Sequence, residues 1–387
     1  MTDAERRRRY VLRGHRSDVN TICVNNTQDI LVSGSESGCV RLWDMKRERR
    51  SFKCAKRSEG AITSVELDPS NDMNLFVAVG QNIYQYDLRV PSVVMTSTEA
   101  VFGFKTRRRK REENESEDEI NCVNCHRDGS LIVAANDSGE TVVFDVKKLS
   151  QGLRSRYVHS NICTSVEWRP NTSRHVFTSG ALDCTVIGWD YDNKRKYGHI
   201  EMNSIEESRS QVFNPPFVHS LSYSHDGKIF AAAVGDGTVG VYDANTYASA
   251  CVEDRRLEGH NAATCKAKFA RFEADGAYVL LSACQSESIL LRKLVQDFKD
   301  LEKEKEEHVP EETRSKRSTH TSKSKRGKRR RRKKKNKDIT PCVEKMESEI
   351  VLRLNHAEQI NALETTKCGD VIVADTSNEI HVYSGLL

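Results

Sequence analysis

The sequence predicts an all-β fold in which seven small sheets, the blades of a β-propeller, close into a ring. Three observations predict it. A unit consisting of an apolar run, a polar turn with Gly or Asp, and a β-rich run recurs seven times along the chain. In five copies the β-rich run ends in an aromatic residue followed by Asp. The last copy stops at its third strand, while an unassigned strand precedes the first copy.

The copies are recognised by their second strands, which are short runs rich in apolar and small residues. In chain order these runs cover residues 30–35, 75–80, 131–136, 175–180, 229–234, 278–283 and 371–376. The third strands end at Trp43-Asp44, Tyr86-Asp87, Phe144-Asp145, Trp189-Asp190, Tyr242-Asp243, Arg292-Lys293 and Tyr383-Ser384. Copy six lacks both the turn residues and the aromatic side chain, so it is the weakest match to the repeat.

The two ends of the chain predict how the ring closes. The strand RRYVLR (8–13) is expected to complete the seventh blade, which leaves few unpaired sheet edges. VLRL (351–354) is then expected to be the outer strand of blade six. The predicted organisation is a propeller over residues 7–294 and 349–387, a charged and largely disordered insertion at 295–348 within blade six, and a minor charged insertion at 105–119 between blades two and three.

The repeat resembles the WD40 repeat, because a His precedes the first strand in several copies and the third strand ends in Trp-Asp or a similar pair. Copy four matches it most fully. The resemblance implies that four of its side chains form a buried, hydrogen-bonded tetrad that keeps the blade rigid, namely His159, Ser179, Asp183 and Trp189. Ser37 and Ser138 replace the turn Asp in copies one and three.

Positive charge is concentrated in one segment. Residues 323–337 hold 12 Lys or Arg and no acid, whereas the whole chain has a net charge of only +5. The densest part contains Lys325, Arg326, Lys328, Arg329, Arg330, Arg331, Arg332, Lys333, Lys334 and Lys335. Three interpretations stay open for it: a nuclear import signal, a contact to nucleic acid, or a solvated spacer. Aromatic residues that could stack on bases are not interleaved with these charges.

Composition and cysteine usage indicate a soluble intracellular protein of the nucleus, the cytoplasm or both. Hydrophobic residues make up 37% and charged residues 30% of the chain, which has 12 cysteines in all. Most of these cysteines lie in apolar strand-like runs, and the N-terminus MTDAERRRRY does not read as a signal peptide. We therefore expect reduced thiols and no membrane partner.

The sequence offers no pattern typical of an enzyme. A strand-to-helix nucleophile turn, a Gly-rich phosphate loop and paired carboxylates outside the charged tracts are not found. His15, His159 and His260 recur at one position of the repeat, which favours a structural role over acid-base chemistry. Cys122 and Cys125 are three apart in a strand and are expected to point to opposite faces. We expect no catalytic residue, no cofactor and no metal site.

Beyond the repeat, the segments 118–146 and 159–190 resemble the family of WD repeat-containing protein fifty-three, as does the basic insertion before the last blade. The resemblance implies a substrate receptor of a cullin-four RING ubiquitin ligase, a class that docks on the damage-binding adaptor through a Trp/Tyr-Asp-x-Arg/Lys box. Two boxes fit, one with Tyr86, Asp87 and Arg89, the other with Trp43, Asp44 and Lys46. The alternative is that these Asp residues only stabilise the turns that follow their strands.

These observations predict a non-catalytic protein-interaction scaffold that binds proteins or peptides on its face, and the resemblance implies that it is such a receptor. The alternative from a different class is a nuclear chromatin- or RNA-associated adaptor that uses the basic insertion to contact nucleic acid. The identity of the bound partner depends on loop side chains whose grouping in space a sequence does not reveal.

Overall fold

The computed structural model shows an all-β ring of seven antiparallel sheets, which confirms the predicted fold class. The structure describes residues 8–27, 29–46, 51–55, 60–89, 94–95, 102–105, 118–147, 150–154, 158–204, 215–251, 256–274, 276–286, 288–296, 343 and 345–386. Within these residues the only helical element is a single 3-10 turn at Met202–Ser204. None of the described segments is a helix long and apolar enough to span a membrane.

The first four blades follow one another along the chain. Blade 1 contains β2 (Val19–Val24), β3 (Ile30–Ser35), β4 (Val40–Asp44) and β5 (Ser51–Ala55). Blade 2 contains β6 (Ile62–Leu67), β7 (Asn74–Val79), β8 (Asn82–Asp87) and β10 (Phe102–Lys105). Blade 3 contains β11 (Ile120–Cys125), β12 (Leu131–Asn136), β13 (Thr141–Asp145) and β14 (Ser150–Arg154). Blade 4 contains β15 (Cys163–Trp168), β16 (Val176–Ala181), β17 (Thr185–Asp190) and β18 (Arg195–Glu201).

The last three blades differ in how they are completed. In the part of the chain that the structure describes, blade 5 has three strands, β19 (Val218–Tyr223), β20 (Ile229–Val234) and β21 (Val239–Asp243). Blade 6 contains β22 (Thr264–Ala274), β23 (Ala277–Cys284), β24 (Ser288–Gln296) and β25 (Met346–Asn355). Blade 7 contains β26 (Ile360–Thr365), β27 (Val371–Asp375), β28 (Glu379–Tyr383) and the N-terminal β1 (Arg8–Arg13). One further strand, β9 (Val94–Met95), adds in parallel to β5 of blade 1.

Closure by the N-terminal strand is confirmed. β1 pairs antiparallel with β28, so that Arg8 lies opposite Tyr383 and Arg13 lies opposite Glu379. Leu12 of this strand is 2% exposed and packs in the apolar cluster between blades 7 and 1. The seventh sheet is therefore assembled from both ends of the described chain.

Blade 6 has longer strands than its weak match to the repeat predicts. β22 is 11 residues long and β25 is 10 residues long, and β25 pairs with β24 over nearly its whole length. Strand pairing runs to Gln296 and resumes at Met346, a few residues inside the segment assigned to the insertion from the sequence. Long paired strands thus compensate for the missing turn residues.

The apolar core is divided into seven clusters, each of which joins two neighbouring blades. The cluster between blades 1 and 2, for example, contains Val32 and Leu42 of blade 1 with Ile62 and Val77 of blade 2. Because each blade buries both of its faces in this way, its strands are apolar on both sides and the ring is held by face-to-face sheet packing. At about 25 cal/mol for each Å² of buried apolar surface, this burial is the main stabilising contribution.

Polar side chains of the innermost strands join neighbouring blades around the ring. In five blades the second residue of the inner strand donates to the first backbone carbonyl of the next inner strand. The donors and acceptors are Asn20 to Ile62 (3.2 Å), Thr63 to Ile120 (2.5 Å), Asn121 to Cys163 (3.1 Å), Thr164 to Val218 (2.6 Å) and Cys265 to Ile360 (3.3 Å). Since equivalent residues meet, the inner strands run in the same direction through the ring.

Candidate functional site

The parallel inner strands give the ring two distinct faces. Face A carries the loops after the first and third strands of each blade, and face B carries the loops after the second strands and the segments that lead into the first strands. The residues predicted for adaptor docking follow third strands and lie on face A. The tetrad histidine and the turn Asp of blade 4 lie on face B.

The structure brings the four tetrad residues of blade 4 together. His159 contacts Asp183 through Nδ1 at 3.0 Å and Ser179 Oγ through Nε2 at 2.8 Å, and Trp189 Nε1 donates to the same Oγ at 2.8 Å. His159 and Trp189 are 3% and 4% exposed. Despite burial, hydrogen bonds from His159 and Thr185 hold the pKa of Asp183 well below its usual range.

Two other blades depart from this arrangement in ways that change their hydrogen bonding. In blade 1, His15 Nε2 and Trp43 Nε1 both contact Ser33 Oγ, at 2.7 and 2.8 Å, but buried His15 Nδ1 has no partner among the described residues. Ser37 stands where blade 4 has Asp183, so the carboxylate that would accept this contact is missing. In blade 6, buried Arg292 takes the place of the Trp.

Blade 7 replaces the tetrad by a cluster of two histidines on one carboxylate. His356 Nε2 and His381 Nε2 contact Asp375 Oδ2 at 2.6 and 3.1 Å, and His356 Nδ1 contacts Tyr383 Oη at 2.8 Å. All four side chains are buried. Hydrogen bonds from the two histidines and Ser377, acting against burial, keep the pKa of Asp375 well below its usual range.

The proposed docking box of blade 2 lies immediately after β8. The backbone N–H of Arg89 donates to Asp87 Oδ1 at 2.9 Å, and its guanidinium contacts the same carboxylate, with Nη2 2.7 Å from Oδ2. Tyr86 is 6% exposed, whereas the Arg89 side chain is 66% exposed. The hydrogen bond with Asp87 raises the pKa of Arg89, which stays fully charged.

The box of blade 1 has the same construction with Lys in place of Arg. The backbone N–H of Lys46 donates to Asp44 Oδ1 at 3.0 Å, and Lys46 Nζ lies 3.2 Å from Asp29 Oδ2. Trp43 is 1% exposed, while the Lys46 side chain is 73% exposed. In both boxes the aromatic residue is core, the Asp caps the turn, and the cation reaches the solvent of face A.

The turn role of the Asp recurs in blades without a docking box. Asp190 Oδ1 accepts from the backbone N–H of Asn193 at 3.0 Å, and Asp243 Oδ1 accepts from the N–H of Asn245 at 2.9 Å. The Asp residues of the boxes are therefore explained by the fold alone. Any docking specificity rests on the cations.

Comparisons with known proteins agree with this geometry. The family described as WD domain, G-beta repeat matches residues 6–44 and 209–243. WD repeat-containing protein 53 homolog of Dictyostelium discoideum is 27% identical over 252 residues, which are 60% of this chain and 64% of that protein. The chain is similar to the WD40-repeat family. Its seven sheets have the arrangement of a WD40 propeller, and the tetrad that the resemblance implies for blade 4 is hydrogen-bonded as described above.

Two further relatives match the WD40 propeller over smaller parts of their own length. Ribosome biogenesis protein ERB1 of Coccidioides immitis is 33% identical over 91 residues, or 23% of this chain and 10% of that protein. Striatin-4 of Homo sapiens is 24% identical over 238 residues, or 60% of this chain and 29% of that protein. The chain thus spans less than two thirds of the length of each of these three relatives.

The central channel of the WD40 propeller holds a charged cluster that no motif of the sequence predicts. The fifth residues of the inner strands share one level of the channel, near face A. In ring order they are Cys23, Glu66, Asn124, Glu167, Ser222, Lys268 and Glu364. Lys268 Nζ lies 2.6 Å from Glu364 Oε1, and Arg271 Nε lies 3.6 Å from Glu364 Oε2. The other two carboxylates form no ion pair with a described residue.

Burial of these two unpaired carboxylates shifts their ionisation. Burial raises the pKa of Glu66 to about 8 and that of Glu167 to about 7, although nearby Lys268 opposes both shifts. Glu66 accepts from Asn124 Nδ2 at 3.1 Å, and Glu167 accepts from the N–H of Tyr223 at 3.0 Å. This level of the channel can therefore take up or release protons near neutral pH.

Alignment of the inner strands by register would have found the channel cluster. Each of the three acids and Lys268 lies 96 to 101 residues from the next of these four along the chain, so no local motif connects them. They share only the fifth position of a first strand. The basic residues from Lys325 to Lys335 and most of the two predicted insertions lie outside the described residues.

Proposed function

We propose that this WD40 propeller is a protein-interaction scaffold that acts as a substrate receptor of a cullin-four RING ubiquitin ligase. In this proposal Arg89 and Lys46 bind the damage-binding adaptor from face A, and the substrate binds elsewhere on the propeller. The receptor works by positioning its substrate and performs no chemistry itself. A relative named WD repeat-containing protein 53 homolog supports the choice of family without specifying its partner.

The observation that carries the proposal is the pair of exposed cations on face A of neighbouring blades. Each cation is held at the same place by a capped turn, with its aromatic neighbour buried beneath it. A planar guanidinium on such a fixed turn can form two parallel hydrogen bonds to a carboxylate or to backbone carbonyls of a partner. The carboxylates Asp87 and Asp29 orient these side chains before the partner arrives.

The test is affinity purification of the full chain and of single variants, with quantification of the ligase adaptor. Arg89→Ala and Lys46→Ala are each expected to lower adaptor recovery at least several-fold, because they remove the charged contact and leave the turn intact. Arg195→Ala and Lys228→Ala are the matched controls, since these exposed cations of blades 4 and 5 also lie beside acids on face A, Lys228 Nζ 3.1 Å from Asp226. Wild type that recovers no adaptor, or equal loss in all four variants, would contradict the proposal.

A second candidate function is association with RNA or chromatin in the nucleus. The basic segment at 323–337 supports it, and so does the similarity to ribosome biogenesis protein ERB1. Dense Lys and Arg neutralise phosphates and release counterions, which makes binding steeply salt-dependent.

Deletion of residues 323–337 tests this second candidate. The deletion is expected to abolish RNA binding measured at low salt and to abolish nuclear accumulation in cells. A replacement of the same length with Gly and Ser controls for the spacing. RNA binding that is unchanged by the deletion would rule out the basic segment as the contact.

A further inference from the structure

Two histidines of neighbouring blades meet on face A, at a place that the docking proposal does not use. His126 directly follows β11 of blade 3, and His175 directly precedes β16 of blade 4. Their ring centroids are 4.8 Å apart. A carboxylate contacts Nδ1 of each ring, Asp128 at 2.8 Å from His126 and Asp192 at 2.7 Å from His175.

These two histidines do not occupy a position at which the repeat places His in every blade. The residue that directly follows the inner strand is His only in blade 3. In the other blades it is Asn25, Asp68, Arg169, Ser224 and Thr366, apart from blade 6, where the strand continues. The histidines of face B recur from blade to blade because they belong to the repeat, whereas a pair that occurs once requires an explanation of its own.

Unused hydrogen-bonding capacity distinguishes this pair from the histidines of blade 7. There, His356 uses both ring nitrogens, on Asp375 and Tyr383, and the whole cluster is buried. On face A, the hydrogen bonds of His126 and His175 to described residues use Nδ1 alone, so each Nε2 is left over. A neutral imidazole that donates from Nδ1 to a carboxylate presents the lone pair of Nε2.

We propose that His126, Asp128 and His175 bind one divalent transition-metal ion of the Zn²⁺ class, which ties blade 3 to blade 4. One nitrogen of each imidazole and one oxygen of Asp128 lie within 4.8 Å of one another. Two imidazoles and a carboxylate are a ligand set that Zn²⁺ prefers. Asp128 would exchange its contact with His126 Nδ1 for the metal, and ligand movements of about an ångström bring such atoms to the usual bond length of roughly 2.0–2.2 Å. Asp192 is the outer carboxylate that orients His175.

The surroundings fit an ion that enters from solvent. The side chains of His175 and Asp128 are 32% and 51% exposed, so the path to the ligands is open. Beneath them Trp168 is 4% exposed and lies edge-on to His126, with ring centroids 5.2 Å apart. This packing limits rotation of the His126 ring, which lowers the entropy lost when the metal binds.

The test is titration of the full chain with Zn²⁺ by calorimetry and with Co²⁺ by absorption. One ion per chain is expected, and the cobalt spectrum is expected to lack the thiolate charge-transfer band that cysteine ligands would give. His126→Ala and His175→Ala are expected to abolish binding, and Asp192→Asn to weaken it about 10- to 100-fold. His225→Ala, an exposed His on face A of blade 5, is the matched control and is expected to bind normally.

Thermal unfolding distinguishes a variant that folds but does not bind the metal from a variant that does not fold. Zn²⁺ is expected to raise the midpoint of wild type and of His225→Ala, and to leave that of His175→Ala unchanged. Asp192 is exposed enough that its loss does not unfold the blade. Absence of binding to wild type, a thiolate band with Co²⁺, or undiminished binding by the two His→Ala variants would each overturn the proposal.

Discussion

The buried histidines of face B differ in whether their Nδ1 atom has a hydrogen-bond partner. In blade 4 the Nδ1 atom of His159 has Asp183 as its partner, whereas in blade 1 the Nδ1 atom of His15 is buried without one. A buried polar atom without a partner costs about 1–3 kcal/mol. Blade 1 therefore carries a defect that one substitution could repair.

Ser37→Asp is expected to raise the free energy of unfolding by about 1 kcal/mol, because the new carboxylate can accept from His15 Nδ1. Urea unfolding followed by circular dichroism measures the change. Ser138→Asp is the control at the equivalent position of blade 3, where Asp118 Oδ1 already accepts from the N–H of Ser138 at 3.0 Å. Two carboxylates would then meet, so this variant is expected to be less stable than wild type.

Glu66→Gln is expected to stabilise the protein at pH 8 relative to wild type, with a smaller difference at pH 5. Burial raises the pKa of Glu66 to about 8, so the folded state favours the protonated form. The stability that this proton provides is complete below the ordinary pKa of 4.5 and is lost as the pH rises towards 8. Gln keeps the acceptor for Asn124 and has no such pH dependence.

Urea midpoints at the two pH values measure this difference. Glu36→Gln, which changes an exposed side chain of blade 1, is the control and is expected to show the same pH dependence as wild type. A Glu66→Gln variant whose advantage over wild type does not grow between pH 5 and pH 8 would contradict the burial argument.

At the residue scale, the sequence predicts those side chains that recur within one repeat unit. The tetrad of blade 4 could be named because its members occupy fixed places of a single repeat. The channel cluster combines residues of different blades, and so does the pair His126 and His175. The metal site proposed for that pair runs against the expectation from sequence, since residues of separate repeats approach only when the ring curves back on itself.

The N-terminal strand shows how one element completes the sheet of another part of the chain. β1 covers the edge of β28, and its Leu12 fills the cluster between blades 7 and 1. Without it, β28 would present unpaired N–H and C=O groups to solvent, which is a template for association with other chains. The packing of β1 therefore affects both stability and solubility.

Leu12→Ala is expected to lower the free energy of unfolding by about 2–5 kcal/mol, the usual range for a buried Leu. It is also expected to produce concentration-dependent oligomers, which size-exclusion chromatography with light scattering detects. Val11→Ala is the control, because its side chain is only partly buried and points away from that cluster. Equal destabilisation by both variants would mean that β1 contributes no specific packing.

At the element scale, periodicity and turn residues predicted the strands that follow the repeat. Closure by RRYVLR could be predicted because the last copy was one strand short. The two-residue strand β9 could not, since a short parallel addition has neither an alternating pattern nor a turn of its own. The long strands of blade 6 were also missed, because pairing between β24 and β25 substitutes for the expected turn signals.

On the scale of the whole molecule, one charged group connects three blades across the point of closure. Arg271 of blade 6 contacts Glu364 of blade 7, and its Nη2 donates to the backbone carbonyl of Val24 in blade 1 at 3.1 Å. Glu364 also contacts Lys268 at 2.6 Å. The channel charges are thus part of the bonding that keeps the ring closed.

Arg271→Ala is expected to speed amide hydrogen exchange in β2 and β26 and to lower the free energy of unfolding by about 1–2 kcal/mol. Hydrogen exchange followed by mass spectrometry locates the effect. Arg127→Ala is the control, since Arg127 is an exposed residue whose Nη1 donates to Asn171 Oδ1 at 3.0 Å. Exchange that increases equally in all blades would indicate general destabilisation instead of loosening at the closure.

The number of blades could be predicted from the sequence because repeats can be counted, and each forms one sheet. The binding partner of the propeller could not be predicted from the sequence, because it depends on which side chains of different loops share a face. Arg89 and Lys46 illustrate the difference: the sequence identified both boxes, but only the structure places their exposed cations on one face of neighbouring blades.

The register of β1 against β28 determines how the molecule responds to mechanical load. Arg8 lies opposite Tyr383, so the chain enters β1 and leaves β28 at the same end of the pair. Tension applied between these two points pulls the strands apart like a zipper and breaks their hydrogen bonds one after another, whereas strands loaded from opposite ends shear and resist together. A tether that pulls on both ends of this propeller is therefore expected to open its seventh blade first and at low force.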